Sequence, residues 1–390
     1  GGCRAEDRFP LVLTMKRRNA PPPSAPAQAD APSAHASEAE LKLALPGADP
    51  ARVADQLAQL GLVAGLPVSV QRLTNTYFDT PTQALHQARA ALRIRRQEAD
   101  GAPARWLQTL KTADAAQGGF TQRGEWEAEL PGDALSFTAL EAAPPWAALD
   151  ADGHLFAELA PVFVTEATRT LRELSAPDGG RIELVLDVGR VRAGPPGAET
   201  SVDLCELELE LLAGTPDALF AAADQIAQHL AVLPATLSKA ERGWRLLSGT
   251  RHAPRRAKTP VLTRQMGVAA AAHAVLGEAL GQFLTNLEGL LHSDGPELVH
   301  QARVGWRRWR SALWLFKPVL AAHPLPDGAA LRPLLKALGN ARDLDVAGLE
   351  SLPLWSDAFI DGDPERAEQW QAMEAAVLAE RRIRRAGLLA

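Results

Sequence analysis

The sequence predicts an α+β chain, an antiparallel β barrel with flanking helices followed by an all-α helical domain. Between Glu38 and Trp244 the dominant pattern is a period of two, with turn signals between the runs. Beyond a basic linker the period becomes 3.6 and the strand signals vanish. A chain of 390 residues is also too long for one core and fits two domains plus connections.

Residues 1–36 are expected to be disordered, since Pro21 to Ser37 is rich in Pro, Ala and Ser without periodicity. Met15 is a candidate start. Lys16, Arg17 and Arg18 precede Asn, Pro, Ser and Ala rather than a continuous apolar core, which argues against a signal peptide. The first domain is assigned to 37–247. Its alternating runs are Glu38 to Leu43, Leu92 to Arg95, Glu125 to Glu129, Glu183 to Asp187 and Cys205 to Leu211. Gly118-Gly119 and Asp178-Gly179-Gly180 mark hairpin turns. Pro50 to Leu60 and Pro216 to Leu230 read as helices. A linker is placed at 248–261, and the helical domain at 262–390. Its helices are expected over Met266 to Leu291, Leu298 to Leu320, Ala329 to Leu338 and Pro364 to Leu388.

Composition removes several function classes. A net charge of -6 argues against a general nucleic-acid binder, so a polyanion would need locally concentrated cations. The two cysteines, Cys3 and Cys205, lack metal-ligand spacing and suit a reducing cytoplasm. No apolar run approaches the ~20 residues that span a bilayer, so no membrane partner is expected.

Alternation puts residues i, i+2 and i+4 on one strand face. Glu38, Glu40 and Lys42 therefore form a charged row about 13 Å long. One such strand is usually a solvated face. Five, with cationic and anionic members, are harder to place in bulk solvent. Arg93, Arg95, Lys111, Arg123 and Arg169 can form a cationic cradle, which phosphate oxygens favour. Glu38, Glu40, Glu206 and Glu208, with Asp187, supply the carboxylate oxygens that magnesium or manganese favours. Both signs together suit an anion bridged to a hard cation.

Glu38-Ala-Glu40-Leu-Lys42 resembles the opening signature of the CYTH, or triphosphate tunnel metalloenzyme, family. In the family's order follow Asn75-Thr-Tyr-Phe-Asp79-Thr-Pro, Leu92-Arg93-Ile94-Arg95, Leu110-Lys111-Thr112 and Gly118-Gly119. Arg123-Gly-Glu125-Trp-Glu127, Glu206-Leu-Glu208-Leu-Glu210 and Ser238-Lys239-Ala-Glu-Arg242-Gly243 close the set, which spans Glu38 to Leu247. The resemblance implies an eight-stranded antiparallel tunnel that binds a triphosphate lengthwise. It implies metal ligation by Glu38, Glu40, Glu206 and Glu208, with Asp187 a further member, and phosphate binding by Arg93, Arg95, Lys111, Arg123, Arg169 and Lys239. Lys42 would orient carboxylates or ligand, and Glu38, Glu40, Lys42, Lys111 and Lys239 form the expected catalytic set.

In the second domain, His300, Arg303, Arg307 and Arg310 recur at helical spacing, with Arg308 beside them. Such a row repels itself unless paired with acids or an anion. Trp306, Trp309 and Trp314 are expected to pack the helix. His300-Gln-Ala-Arg303-Val304-Gly-Trp-Arg307-Arg308-Trp-Arg310-Ser311 and Leu338-Gly339-Asn340-Ala-Arg342-Asp343-Leu-Asp345 resemble the CHAD family. The resemblance implies a polyphosphate-binding helical bundle of two similar halves. This sequence presents the first half, so a truncated chain is expected. Lys336, Arg342 and the cluster Arg381, Arg382, Arg384, Arg385 are expected to extend the cationic surface.

Together these readings predict a cytoplasmic, Mg2+- or Mn2+-dependent inorganic triphosphatase, acting on tripolyphosphate and carrying a polyphosphate-binding module. Two alternatives stand beside it. One is an organic-triphosphate enzyme of the same fold, a class IV-like adenylyl cyclase or thiamine triphosphatase. The other is a non-catalytic polyphosphate-binding adaptor. No P-loop signature occurs.

Overall fold

The computed structural model describes residues 37–112, 116–117, 120–176, 179–195, 197–321 and 328–389. The expected disorder of 1–36 and the Gly118-Gly119 turn lie outside these residues. Of Glu38 and Arg123 only the backbone is described.

Ten strands run in chain order: β1 (Ser37–Ala44), β2 (Ser69–Asp79), β3 (Ala90–Ala99), β4 (Arg105–Thr112), β5 (Ala116–Gln117), β6 (Phe120–Leu130), β7 (Ala160–Ser175), β8 (Arg181–Ala193), β9 (Thr200–Ala213) and β10 (Leu233–Pro234). Every pairing between them is antiparallel. The sheet order is β10-β1-β9-β8-β7-β2-β3-β4-β6-β5, and β1 also pairs with β6. That last pairing, with Glu38 opposite Arg123 and Glu40 opposite Thr121, closes eight of the strands into a barrel. The expected eight-stranded antiparallel tunnel is therefore present, with two short strands added at its edges.

Many of the barrel's apolar residues lie on its outer face. Leu41, Leu43, Leu184, Leu186, Leu207 and Leu209 face outward, where helices α1 (Val53–Ala58) and, later in the chain, α6 (Asp217–Ala227) cover them. Three short helices follow α2 (Ala84–Gln87): α3 (Phe137–Glu141), α4 (Trp146–Leu149) and α5 (Leu155–Glu158). Leu85, Leu140 and Trp146 from this group pack against Leu92 and Leu110. Each helix packed on this surface lets the alternate residues of the same strand turn polar side chains inward.

Helix α7 (Lys239–Leu247) lies against β7 and β8, and starts at Ser238, whose hydroxyl accepts from the Glu241 N–H at 3.1 Å. It can sit so close because of Gly243. A Cβ there would lie 2.2 Å from the Phe163 ring, itself stacked on Tyr77 and in edge contact with Trp244.

The helical part contains α8 (Val268–Leu290), α9 (Pro296–Leu315), α10 (Lys317–Leu320), α11 (Arg332–Val346), α12 (Leu352–Ile360) and α13 (Pro364–Leu389), with a π-turn over Ala347–Ser351. Phe283, Leu287, Leu298, Val299, Trp306 and Leu338 form its core. Helix α12 was not foreseen, and the helix expected to end at Leu338 continues to Val346. By length and composition alone α8 could cross a membrane, but its Gln282, Asn286 and Glu288 are buried and hydrogen-bonded within the protein. Of the three tryptophans on α9, Trp306 is buried and Trp314 is exposed, so Trp314 does not pack the helix.

The linker at 248–261 is held against the helical domain. Arg255 exchanges backbone bonds with the Asn286 amide at 3.1 and 2.9 Å and pairs with Glu278 at 2.6 Å. Arg308 donates to Gln282 at 2.5 Å and to the Lys258 carbonyl at 3.1 Å. Of the arginines in this last helix, Arg381 and Arg385 are tied into the fold, while Arg382 and Arg384 are exposed. Arg381 binds the buried Asp345 at 2.6 Å, Arg384 pairs with Glu380, and Arg385 donates to the carbonyls of Asp294 and Gly295.

Gly243→Ala is expected to destabilise the protein by about 1–3 kcal/mol, the usual range for overpacking a filled core. Thermal denaturation followed by Trp fluorescence would show the lower midpoint, because Trp244 adjoins the affected ring.

Candidate active site in the tunnel

Register decides which side chains meet inside the barrel. Asp187 pairs with Glu206 across β8 and β9, Arg169 with Asp187 across β7 and β8, and Lys42 with Glu208 across β1 and β9. The interior side chains of these strands form an acidic wall. Asp187 and Glu206 are fully buried, and Glu40, Glu208 and Lys42 nearly so. Oxygens of Asp187, Glu206 and Glu208 lie within 4.8 Å of one another.

Buried like charges must be compensated. Lys239, reaching in from α7, contacts Asp187 at 2.8 Å, Glu206 at 2.5 Å and Glu208 at 2.9 Å. Arg169 holds Asp187 through two bonds of 2.9 and 2.7 Å and reaches Glu208 at 3.0 Å. Lys42 binds Glu40 at 2.9 Å and also contacts Glu208. Burial by itself would raise the Glu208 carboxyl, but Lys239, Lys42 and Arg169 hold it well below the usual carboxylate range. Asp187 is likewise lowered, with Lys239 and Arg169 outweighing its burial. For Lys239, the three carboxylates overcome desolvation and raise the ammonium above its ordinary value.

The facing wall has different chemistry. Across β2 and β3, Tyr77 pairs with Arg93 and Asn75 with Arg95. Asn75 donates to Thr165 at 2.9 Å and accepts from Arg95 at 3.0 Å. Lys111 meets Glu125 at 2.6 Å, while Arg93 lies 3.8 Å from that carboxylate. Thr109 donates to Glu127 at 3.1 Å. Among the described residues Arg95 makes no ion pair. Burial, Arg93 and Arg169 push its pKa down to about 10. Burial would raise the Tyr77 phenol, yet Arg93, charged and hydrogen-bonded to it, brings the phenol below its ordinary value.

The structure thus gathers Glu40, Asp187, Glu206 and Glu208 on one wall and Arg93, Arg95 and Lys111 on the other. Lys239 and Arg169, expected to bind phosphate, lie among the carboxylates and pair with them. The side chains of Glu38 and Arg123 fall outside the described residues. Charge alternation did not single out Tyr77, Asn75, Thr109 or Thr165, because their lumen-facing side chains are uncharged. Arg242 was quoted in a motif without a role. It lies 3.7 Å from Glu206 and 2.7 Å from Glu288.

On α9, His300, Arg303, Arg307 and Arg310 make no ion pair among the described residues. Arg307 and Arg310 are exposed, whereas Arg308 is occupied as a strap.

The barrel thus sets buried carboxylates on one wall opposite buried arginines on the other. The chain belongs to the CYTH domain family, whose model matches residues 36–244, and a CHAD domain model matches residues 274–390. Over 179 residues it is 28% identical to an inorganic triphosphatase of Haemophilus influenzae, covering 45% of this chain and 46% of that protein. The chain therefore spans about half the length of the curated relative it matches. A putative adenylyl cyclase from Hippeastrum, described as having a dominant triphosphatase activity, is 20% identical with a TM-score of 0.35, over 54% of this chain and 96% of that one. The CHAD domain of the plant Ricinus communis is 33% identical with a TM-score of 0.29, over 35% of this chain and 44% of that one.

Tyr77 is the single tyrosine in the sequence, so phenolate absorbance reports it alone. It is expected to ionise below the ordinary value of about 10, and Arg93→Met is expected to move that transition upward. An unchanged midpoint in the variant would show that Arg93 does not set the Tyr77 environment.

Proposed function

We propose that the tunnel hydrolyses a phosphoanhydride bond of inorganic tripolyphosphate with a bound divalent cation. The observation that carries this reading is the pairing of Arg95, a lumen cation with no ion pair among the described residues, with a wall of buried carboxylates. A phosphate chain would relieve the cationic wall, and the carboxylates would hold its metal.

The donor set fits a hard cation. Asp187, Glu206 and Glu208 present convergent oxygens, and Glu206 Oε2 is buried with no hydrogen-bond partner. Glu40 and Glu38 belong to the same proposed metal set. Magnesium or manganese bound there would supply charge neutralisation and a more acidic water. Arg93, Arg95 and Lys111, with Arg123, would take the phosphate oxygens, where guanidinium and ammonium groups stabilise charge developing during in-line displacement. Lys42, Lys239 and Arg169 keep the carboxylates ionised and oriented. Tyr77 stands opposite Arg93 across β2 and β3 and is the neutral group beside that guanidinium.

The preference for an inorganic over an organic triphosphate is supported by the helical module, whose α9 row of His300, Arg303, Arg307 and Arg310 suits extended polyphosphate in the cytoplasm. Arg308 adds charge beside it. The alternative of a polyphosphate adaptor with an idle tunnel gains nothing from carboxylates, which a pure polyanion site would exclude.

Phosphate release from tripolyphosphate, ATP and long-chain polyphosphate, each with magnesium, manganese or EDTA, tests the proposal. Rapid, EDTA-sensitive release from tripolyphosphate with ATP a poor substrate is expected, and Arg95→Ala should lower kcat/KM about 100-fold, as loss of a charged transition-state donor commonly does. No release from any substrate by the folded protein would refute the enzyme reading.

A further inference from the structure

The tunnel's acidic wall is not built by the barrel alone. Glu288, on the helical domain's α8, is buried and accepts from the Thr236 N–H at 3.1 Å, the Thr236 hydroxyl at 3.3 Å and Arg242 at 2.7 Å. Thr236 in turn shares a 2.8 Å hydroxyl contact with Thr285 of α8. Arg242 stands between this carboxylate and Glu206, which it approaches only to 3.7 Å. Both Glu206 Oε2 and Arg242 Nε are buried without hydrogen-bond partners. A buried guanidinium and carboxylate this close would ordinarily close to hydrogen-bond distance, and the competing partner is Glu288.

We propose that Glu288 is a positioning residue for the tunnel's metal site: it holds Arg242 away from Glu206 Oε2 and so leaves that oxygen able to ligate a divalent cation. The inference rests on the reading that the acidic wall binds such a cation. Its logic is electrostatic competition. With Glu288 neutral, Arg242 loses its stronger partner and turns to Glu206, where it occupies the lone pairs a metal needs. The helical domain thereby takes part in assembling the tunnel, through a residue that touches neither metal nor phosphate. Outer partners of this kind typically change metal affinity by about 10–100-fold when replaced.

Manganese binding by the full chain is measured by titration calorimetry for the native protein and four variants: Glu206→Gln, Glu288→Gln, Arg242→Gln and the double variant Glu288→Gln/Arg242→Gln. Each variant is first melted in EDTA to establish that it is folded. Glu288→Gln keeps an acceptor for Thr236, and it should weaken manganese binding about tenfold. Removing Arg242 as well should restore affinity to within about threefold of the native protein, since the competing cation is gone. Arg242→Gln alone, the variant to rely on should Glu288→Gln misfold, should bind manganese at least as tightly as the native chain. If Glu206→Gln loses manganese while Glu288→Gln binds normally, the inference is overturned and the metal assignment stands. Binding unchanged in Glu206→Gln overturns the metal assignment itself. A loss in Glu288→Gln that deepens on removing Arg242, or a tenfold loss in Arg242→Gln alone, means a scaffold role and also overturns the inference.

Discussion

Lys239 touches Asp187, Glu206 and Glu208 at once, and much of the remaining structure follows from what that contact requires. Carboxylates whose oxygens lie within 4.8 Å cannot all remain ionised in a dry interior without cations among them. The ammonium comes from α7, which lies close on β7 and β8, and Gly243 against Phe163 makes that approach sterically feasible. Arg169 and Lys42 complete the compensation from neighbouring strands, and their register fixes them opposite Asp187 and Glu208. A one-residue slip in any of these strands would exchange the charged and apolar faces. Electrostatics inside and leucine packing outside therefore specify the same register.

The period-two runs made the barrel legible wherever charge alternates with leucine or isoleucine, as in β3, β8 and β9. Strands β2 and β7 were harder to read. Asn75, Tyr77 and Thr165 serve the lumen there without charge, so the contrast between faces weakens. The short helices α2 to α5 were unannounced because each is only a turn or so long and takes its stability from packing on Leu92 and Leu110. At the site, the types and faces of the charged residues were visible, but their partners were not. For Lys239 and Arg169 the sequence gives sign without distance. Only the fold shows that both pair with carboxylates.

The two walls differ in how fully they are satisfied. On the acidic side, Asp187 and Glu208 are pushed down by several cations, which means the fold stabilises their charged forms. On the cationic side, Arg95 is pushed down by its own burial and by neighbouring arginines, which means the fold alone leaves its charge under-compensated. Arg93 and Lys111 on the same wall have Glu125 as a partner, so the deficit is confined to Arg95. Arg95 has a neutral partner in the Asn75 amide oxygen, which accepts from it at 3.0 Å.

The row on α9 has a different physical character. Arg307 and Arg310 are exposed, so their repulsion is weakened by water and salt, and the helix bears them at little cost. Arg93 and Arg95 have no such relief. Attraction of a polyanion to α9 would therefore fall steeply with ionic strength, while contacts inside the tunnel would be far less screened. The docked segment around Arg255 and the Arg242–Glu288 contact join these two parts mechanically, so they cannot be treated as independent modules on a loose tether.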